Sequence, residues 1–184
     1  MLRFGPQRWR PGLVDHSHPV HPYIGVAGPS EATSQELSLA RQVGVLLARR
    51  HAVVVCGGLG GVMEACAEGA SSAGGTVVGL LPGLDRSQGN RYLTVALATG
   101  LGELRNGVLV SACDALLVVG GSWGTLSEMA LAMRAEKPVV SLCGWRLPVQ
   151  ATAGGGRLSI EVSTPVEAVC AVLPCCLESS GDDG

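Results

Sequence analysis

A run of small and polar residues directly follows the most apolar segment of the chain and could bind an anion. Residues 115–119 read Ala-Leu-Leu-Val-Val, and a helical pattern begins a few residues later. Glycines let a backbone approach a ligand closely, and a helix start offers free N–H groups and a positive dipole end. A phosphate site is therefore predicted at the intervening residues, which are Gly120, Gly121, Ser122, Trp123, Gly124 and Thr125.

The same turn also has a purely structural interpretation. Thr125-Leu-Ser-Glu128 matches the S/T-x-x-E capping box, in which Thr125 would cap the helix and Glu128 would close the box. The residues alone leave both interpretations open. Trp123 is equally ambiguous, because its ring could stack on a flat ligand or pack in a subunit contact.

Two further turns follow apolar segments and supply more candidate ligand contacts. Residues 57–61 are not a Walker loop, because no lysine follows the glycines. They are not a dinucleotide fingerprint either, because Met63 stands at the third glycine position and Leu81-Pro82 ends the next strand where an acidic residue is needed. Ser30 could donate to a ligand or simply cap a helix. The candidate contacts are Gly28, Ser30, Gly58, Gly60 and Gly61.

The elements that must position these turns alternate between strands and helices. Apolar runs predict strands at 23–27, 52–56, 76–81, 93–98, 115–119, 139–142 and 158–162. Helical periodicity predicts helices at 33–50, 62–73, 103–112, from the Gly120–Thr125 turn to about 135, and 165–173. Such alternation predicts a Rossmann-like, doubly wound α/β fold with a mainly parallel sheet and helices on both faces. Ligands bind such sheets outside the carboxyl ends of the strands, where the glycine turns fall.

Length and composition indicate one domain that handles a small molecule. The chain has 184 residues, which predicts a single domain over 22–174, a flexible arm over 1–21 and a tail over 175–184. A net charge of −2 gives no basic face for nucleic acid. No apolar run reaches the ~18 residues of a membrane span, and no secretory signal is evident, so a cytoplasmic protein is expected.

The histidines and cysteines do not indicate a metal site. His16, His18 and His21 lie in the arm without accompanying carboxylates or cysteines, so no metal site is predicted. The seven cysteines include no C-x-x-C pair, which is typical of buried thiols in a reducing compartment. The vicinal Cys175 and Cys176 leave a disulfide or a metal clip open.

The segment Val119-Gly-Gly-Ser-Trp-Gly-Thr-Leu-Ser-Glu128 resembles a family signature. It is similar to the V-G-G-x-x-G-T-L-S-E sequence of the branch of the Lonely Guy superfamily that includes the molybdenum cofactor carrier proteins. The wider superfamily, long mislabelled as lysine decarboxylases, has P-G-G-x-G-T-x-E-E. Supporting matches are Cys56-Gly-Gly-Leu-Gly-Gly-Val-Met-Glu-Ala65 and Thr99-Gly-Leu-Gly-Glu-Leu-Arg-Asn106.

The resemblance implies a phosphate on the Gly-Thr loop, with Arg105 and Glu128 serving the sugar of a nucleotide. In hydrolase members it implies cleavage of a cytokinin riboside 5′-monophosphate, or of AMP, to base and ribose 5-phosphate, with Arg105 and Glu128 as catalytic residues. In carrier members it implies binding without turnover, with the molybdenum cofactor as the carried ligand and no cofactor required. It also implies a homodimer or homotetramer.

Departures from the wider signature keep three hypotheses open. Gly120 replaces the family proline, Ser122 replaces a glycine, and Ser127 replaces the first glutamate, so one carboxylate would have to do all the electrostatic work of hydrolysis. The hypotheses are a carrier of a phosphorylated, nucleotide-like ligand, a phosphoribohydrolase, and a regulatory protein with a vestigial pocket. A pyridoxal phosphate decarboxylase needs a Schiff-base lysine, and the single lysine, Lys137, is expected at the opposite end of the sheet.

Overall fold

Among the residues that the structure describes, seven strands and five helices alternate along the chain. The computed structural model describes residues 21–145 and 159–173. The strands are β1 (Tyr23–Ala27), β2 (Val53–Cys56), β3 (Val77–Leu81), β4 (Val95–Ala98), β5 (Ala115–Val119), β6 (Val139–Leu142) and β7 (Ser159–Val162). The helices are α1 (Ser34–Arg49), α2 (Val62–Ser72), α3 (Arg105–Ala112), α4 (Trp123–Arg134) and α5 (Pro165–Val172).

All seven strands are parallel, in the order β4-β3-β2-β1-β5-β6-β7. One core lies between the sheet and α1, α2 and α5, and a second lies between the sheet and α3 and α4. The predicted Rossmann-like, doubly wound α/β fold is therefore confirmed. The direction of winding reverses between β1 and β5, which places the topological switch point beside the turn that follows β5.

Close helix packing holds the turns at the carboxyl edge of the sheet in place. α1 begins with a capping box, in which Thr33 and Glu36 each accept from the other's backbone N–H. Gly44 and Gly69 let α1 and α2 approach closely, because a Cβ at Gly44 would meet the Cys66 carbonyl oxygen and one at Gly69 would meet that of Arg41. β5 is buried along its whole length, as its apolar sequence predicts.

The predicted boundaries agree with the structure to within two residues for most elements. β4 begins two residues later than expected, and a short 3₁₀ turn at Gly102–Leu104 replaces the first residues of the helix predicted at 103–112. The predicted arm, apart from its last residue, the predicted tail with Cys175 and Cys176, and residues 146–158 lie outside the described residues. Within the described part of the chain, no helix is long and apolar enough to cross a membrane.

Candidate functional site

The N terminus of α4 is capped by Ser122, three residues before the residue that the capping-box interpretation required. Ser122 has extended backbone geometry, and its hydroxyl accepts a hydrogen bond from the Thr125 N–H at 3.3 Å. Its hydroxyl also lies 2.9 Å from the Thr125 hydroxyl. Thr125 is therefore the third residue of α4 and not its cap, so the capping-box interpretation of Thr125 and Glu128 was wrong. Serine is one of the preferred N-cap residues, and Ser122 takes that position three residues before Thr125, the predicted cap.

Two backbone amides at the start of α4 remain free. The Trp123 and Gly124 N–H groups have no acceptor in the part of the chain that the structure describes. Gly120 has a φ of +67°, a left-handed geometry that turns the chain out of β5 and that glycine adopts at little cost. Its N–H donates to the Leu142 carbonyl at 3.0 Å, which fixes the turn against β6. Free amides at a helix start form the type of anion site that the sequence predicts.

Arg105 and Glu128 meet in a buried ion pair on the same edge of the sheet. Arg105 is the first residue of α3, Glu128 lies in α4, and the Nη1–Oε1 distance is 3.1 Å. Only 12% and 8% of the two side chains are exposed. Burial raises the pKa of Glu128 to about 7, although the charge and hydrogen bond of Arg105 lower it. The pair can therefore gain or lose a proton near neutral pH.

A glycine makes room for the Arg105 guanidinium. A Cβ at Gly57 would lie 2.5 Å from Arg105 Nη2, so the guanidinium packs directly on the turn after β2. Arg105 Nε is buried without a hydrogen-bond partner among the described residues. An unpaired donor of this kind is costly unless a ligand or water accepts from it. This role of Gly57 could not be predicted from local sequence patterns, because the contact joins residues 48 positions apart.

The other predicted glycines have mostly structural surroundings. A Cβ at Gly28 would lie 2.5 Å from the Val119 carbonyl oxygen and from a methyl of Val62. Gly58 and Gly61 have φ values of +75° and +68°, and a Cβ at Gly61 would meet the Pro29 and Ser30 carbonyls. Gly60 is the open position, with Glu64 Oε2 at 3.8 Å from its Cβ position.

Ser30 lies in a separate groove and does not cap α1. Thr33 is the N-cap residue, so the capping interpretation of Ser30 was wrong. Ser30, Gly61, Glu64 and Tyr92 line a groove of about 350 Å³ at the N-terminal ends of α1 and α2. Neither the start of α4 nor the Arg105–Glu128 pair borders this groove. It lies on the same edge of the sheet but apart from the buried pair.

A carboxylate that sequence reasoning missed lies against the glycine turn. A Cβ at Gly120 would meet Glu36 Oε1, so the Glu36 carboxylate packs on the Gly120 backbone. Its other oxygen accepts from the Thr33 N–H at 2.8 Å and from the Thr33 hydroxyl at 2.9 Å. The Thr33-x-x-Glu36 pattern was a visible capping signal, but its proximity to Gly120 depends on the fold. A ligand anion at this turn would therefore lie near a negative charge.

Two tryptophans cover the outside of the same turn. Trp123 is 81% exposed, and its ring meets that of Trp145 edge to face, with centroids 5.5 Å apart. Trp145 in turn covers Gly121, where a Cβ would lie 2.8 Å from the indole ring. The exposed Trp123 ring is compatible with both of its open interpretations, ligand stacking and a subunit contact.

Lys137 lies at the opposite end of the sheet, before β6. Its ammonium donates to the carbonyls of Val110, at 2.6 Å, of Ser111, at 2.9 Å, and of Cys113. These carbonyls end α3, so Lys137 caps the negative end of that helix. Among the described residues, no group of three or more His, Cys, Asp or Glu side chains is arranged to hold a metal ion.

These features define a doubly wound α/β protein with a glycine-turn site at its topological switch point. The sequence profile of the SLOG cluster4 family matches residues 21–169, and the chain belongs to that family. An uncharacterized protein of Archaeoglobus fulgidus is 44% identical over 119 residues, which is 65% of this chain and 78% of that protein.

Two solved structures share both the fold and a substantial part of the sequence. The molybdenum cofactor binding protein of the phototrophic bacterium Rippkaea orientalis is 39% identical, with a TM-score of 0.67 over 69% of this chain and 78% of that one. The Moco carrier protein of Chlamydomonas reinhardtii is 30% identical, with a TM-score of 0.72 over 83% and 96%. The resemblance to the Lonely Guy superfamily and its carrier branch is therefore confirmed.

Proposed function

We propose that this chain is a carrier that binds a phosphorylated pterin cofactor of the molybdopterin type through the start of α4. The observation that carries the proposal is the pair of free N–H groups at Trp123 and Gly124, at the switch point of the sheet. The names of the Chlamydomonas and Rippkaea neighbours support the choice of ligand.

The residues around the turn fit such a ligand. The phosphate would accept from the Trp123 and Gly124 amides and the Thr125 hydroxyl, and the unpartnered Nε of Arg105 offers a further donor in the buried part of the site. The exposed Trp123 ring would provide a face for the pterin. In this arrangement main-chain amides and a hydroxyl hold the phosphate and Arg105 is the one basic side chain involved, so the site does not need the basic face that the net charge of −2 argues against.

A pair of variants at one position tests the amide contribution. Trp123 is the first residue of α4, where proline is tolerated, and Ser122 already has the extended geometry that a following proline requires. Trp123→Pro removes the ring and the N–H, whereas the matched control Trp123→Ala removes only the ring.

Both variants and the native protein are loaded with molybdopterin, and the bound pterin is measured by fluorescence after oxidation. We expect Trp123→Pro to bind roughly tenfold more weakly than Trp123→Ala, because a charge-assisted hydrogen bond contributes about 1.5 kcal/mol. Equal amounts of bound pterin in the two variants would show that the Trp123 N–H does not bind the ligand. Absence of retention by the native protein would remove the carrier function.

Phosphoribohydrolase activity is a second candidate, favoured by one specific feature. Glu128 is buried beside Arg105 with a pKa of about 7, so this one carboxyl could exchange a proton or stabilise positive charge at C1′. The test is release of ribose 5-phosphate from AMP or a cytokinin nucleotide at high protein concentration. Release of ribose 5-phosphate that Glu128→Gln abolishes would support hydrolysis. Absence of release would leave the carrier function as the remaining candidate. No thermal shift with any phosphorylated ligand would favour the third hypothesis, a regulatory protein with a vestigial pocket.

We also propose that the protein is a homo-oligomer that pairs through α3 and the sheet edge. Val95 and Leu97 of β4 pair with Val78 and Leu80, whose side chains belong to the core on the α3 side, yet both remain exposed. Leu101, Leu104 and Val108 are also exposed on or just before α3. These five apolar side chains are exposed on and beside α3 and the sheet edge, with the Glu103 carboxylate among them, and their apolar character suits contact with a second copy of the chain.

A further inference from the structure

We infer that Asn90 is a positioning residue for the proposed ligand site and that it acts through Arg105. The inference rests on the proposed carrier function, in which the unpartnered Nε of Arg105 is a donor to the ligand. It concerns the turn of residues 57–61, which connects β2 to α2 and on which the Arg105 guanidinium packs.

The 57–61 turn needs contacts from outside to keep one conformation. Four of its five residues are glycines, whose backbone has the most conformational freedom to lose on folding. The start of α2 provides no side-chain cap, because its N-cap residue is Gly61. A turn of this composition holds a fixed shape only if other segments bind its backbone.

Asn90, in the loop before β4, binds the backbone of this turn. Its Nδ2 donates to the carbonyl of Gly58 at 3.2 Å and to that of Leu59 at 3.0 Å. Its backbone N–H also donates to the Gly58 carbonyl, at 2.9 Å. The Tyr92 N–H donates to Asn90 Oδ1 at 3.1 Å, which fixes the orientation of the amide. Among the described residues, no other side chain donates to the carbonyls of the turn, so Asn90 is its side-chain anchor.

Arg105 packs on the residue directly before the anchored carbonyls. The Cβ position of Gly57 lies 2.5 Å from Arg105 Nη2 and 2.8 Å from both Cζ and Nη1, so the guanidinium lies over Gly57. Nη1 also donates to Glu128 Oε1 at 3.1 Å. Because the guanidinium is planar and rigid, these two contacts together fix the direction of its Nε–H bond. A displacement of Gly57 would therefore turn this donor away from the ligand.

A double-mutant cycle tests whether Asn90 acts through Arg105. Asn90→Ala removes the anchor without adding a charge, and Arg105→Met removes the guanidinium but keeps an unbranched side chain. The native protein, both single variants and the double variant are titrated with molybdopterin, and bound pterin is measured by fluorescence after oxidation. We expect roughly fivefold weaker binding for Asn90→Ala and roughly tenfold for Arg105→Met. The double variant should also lose only roughly tenfold, because without Arg105 the anchor has nothing to position.

Thr94 provides the control for a loss of stability alone. Its hydroxyl accepts from the Val77 N–H at 3.0 Å, at the start of β3 and so at the edge of the sheet opposite the glycine turns. Thr94→Ala, like Asn90→Ala, removes a side-chain hydrogen bond to the backbone, and it should lower the melting temperature but leave the affinity for molybdopterin unchanged. A similar loss of affinity in Thr94→Ala would overturn the inference, because destabilisation would then explain the effect of Asn90→Ala.

Two further results would overturn the inference and leave the carrier function intact. One is an unchanged affinity in Asn90→Ala, and the other is a loss in the double variant equal to the product of the two single losses, which would show that the residues act independently.

If the native protein binds no molybdopterin, the carrier function fails and the link to Arg105 is tested without a ligand. Arg105 lowers the pKa of Glu128, so displacement of its guanidinium changes that pKa. Measured by NMR of ¹³C-labelled carboxyl groups, the pKa of Glu128 should shift in Asn90→Ala in the same direction as in Arg105→Met. An unchanged pKa in Asn90→Ala would overturn the inference.

Discussion

At the scale of single residues, Glu128 has a property that is measurable without any ligand. Its pKa is raised by burial from 4.5 to about 7, so the folded protein holds this proton more tightly than the unfolded chain does. Protonation of Glu128 therefore stabilises the folded state in full below pH 4.5, and this contribution to the free energy of unfolding is lost as the pH rises through 7. A shift of this size corresponds to about 3 kcal/mol.

The corresponding prediction concerns the difference between native protein and Glu128→Gln. The free energy of unfolding of the native protein, relative to the variant, should fall by about 3 kcal/mol between pH 4.5 and pH 8. Urea titrations at four or five pH values would measure it. Glu103→Gln changes an exposed carboxylate just before α3 and serves as the control for removal of a charge outside the buried pair. A pH-independent difference would show that Arg105 compensates fully for the burial of Glu128.

Glu36 leads to a second residue-scale prediction. Its carboxylate packs on Gly120, beside the proposed anion site, and it also closes the capping box of α1. Glutamine can close such a box as glutamate does, so Glu36→Gln removes the charge and keeps the cap. We expect it to strengthen binding of inorganic phosphate by roughly fivefold, since charges several Å apart near a solvated surface repel by about 1 kcal/mol.

The chain contains a matched control for that experiment. Glu167 closes an equivalent capping box with Thr164 at the start of α5, and it is not among the atoms that pack on Gly120. Glu167→Gln should change thermal stability about as much as Glu36→Gln does, and phosphate affinity, measured by calorimetry, should stay the same. Similar phosphate affinities for the two variants would mean that Glu36 does not influence the anion site.

At the scale of elements, the strands and helices follow from local patterns, but their ends and contacts follow only partly. Within the described ranges, apolar runs and helical periodicity located the seven strands and five helices, because each pattern is carried by neighbouring residues. The start of α4 offered two caps, Ser122 and Thr125, and the choice between them depends on the path of the chain out of β5. The packing of Arg105 on Gly57 and of Glu36 on Gly120 joins distant segments. No local pattern contains that information.

Two of the glycines proposed as ligand contacts should respond oppositely to alanine. At Gly28 a Cβ would lie 2.5 Å from a backbone carbonyl of β5, which cannot move without disturbing the sheet, so Gly28→Ala should cost about 2–3 kcal/mol. At Gly60 the Cβ has space and the backbone is not left-handed, so Gly60→Ala should leave stability unchanged or raise it by up to about 1 kcal/mol. Denaturant midpoints measure both. A destabilised Gly60→Ala would indicate backbone strain at that turn.

At the scale of the whole molecule, the two sides of the sheet are covered unequally. Three helices pack on one side and two on the other, and α3, with only eight residues, is the helix nearest the β4 edge on its side. Leu104 is 79% exposed there, beside Arg105 of the candidate site. An oligomer formed through this surface would place two candidate sites near one contact and would shield leucine and valine side chains from water.

A single charge on that surface should therefore separate the copies. Leu104→Glu places a carboxylate at the proposed contact, where its desolvation against apolar residues would cost at least ~3 kcal/mol per copy. Light scattering should give a multiple of 18.8 kDa for the native protein and a mass near 18.8 kDa for the variant. Val166→Glu on α5 is the matched control, because Val166 is also exposed but lies on the other side of the sheet, and it should keep the native mass. A monomeric native protein would show that this surface does not mediate self-association. A monomeric Val166→Glu variant would place the contact between copies on the α5 side.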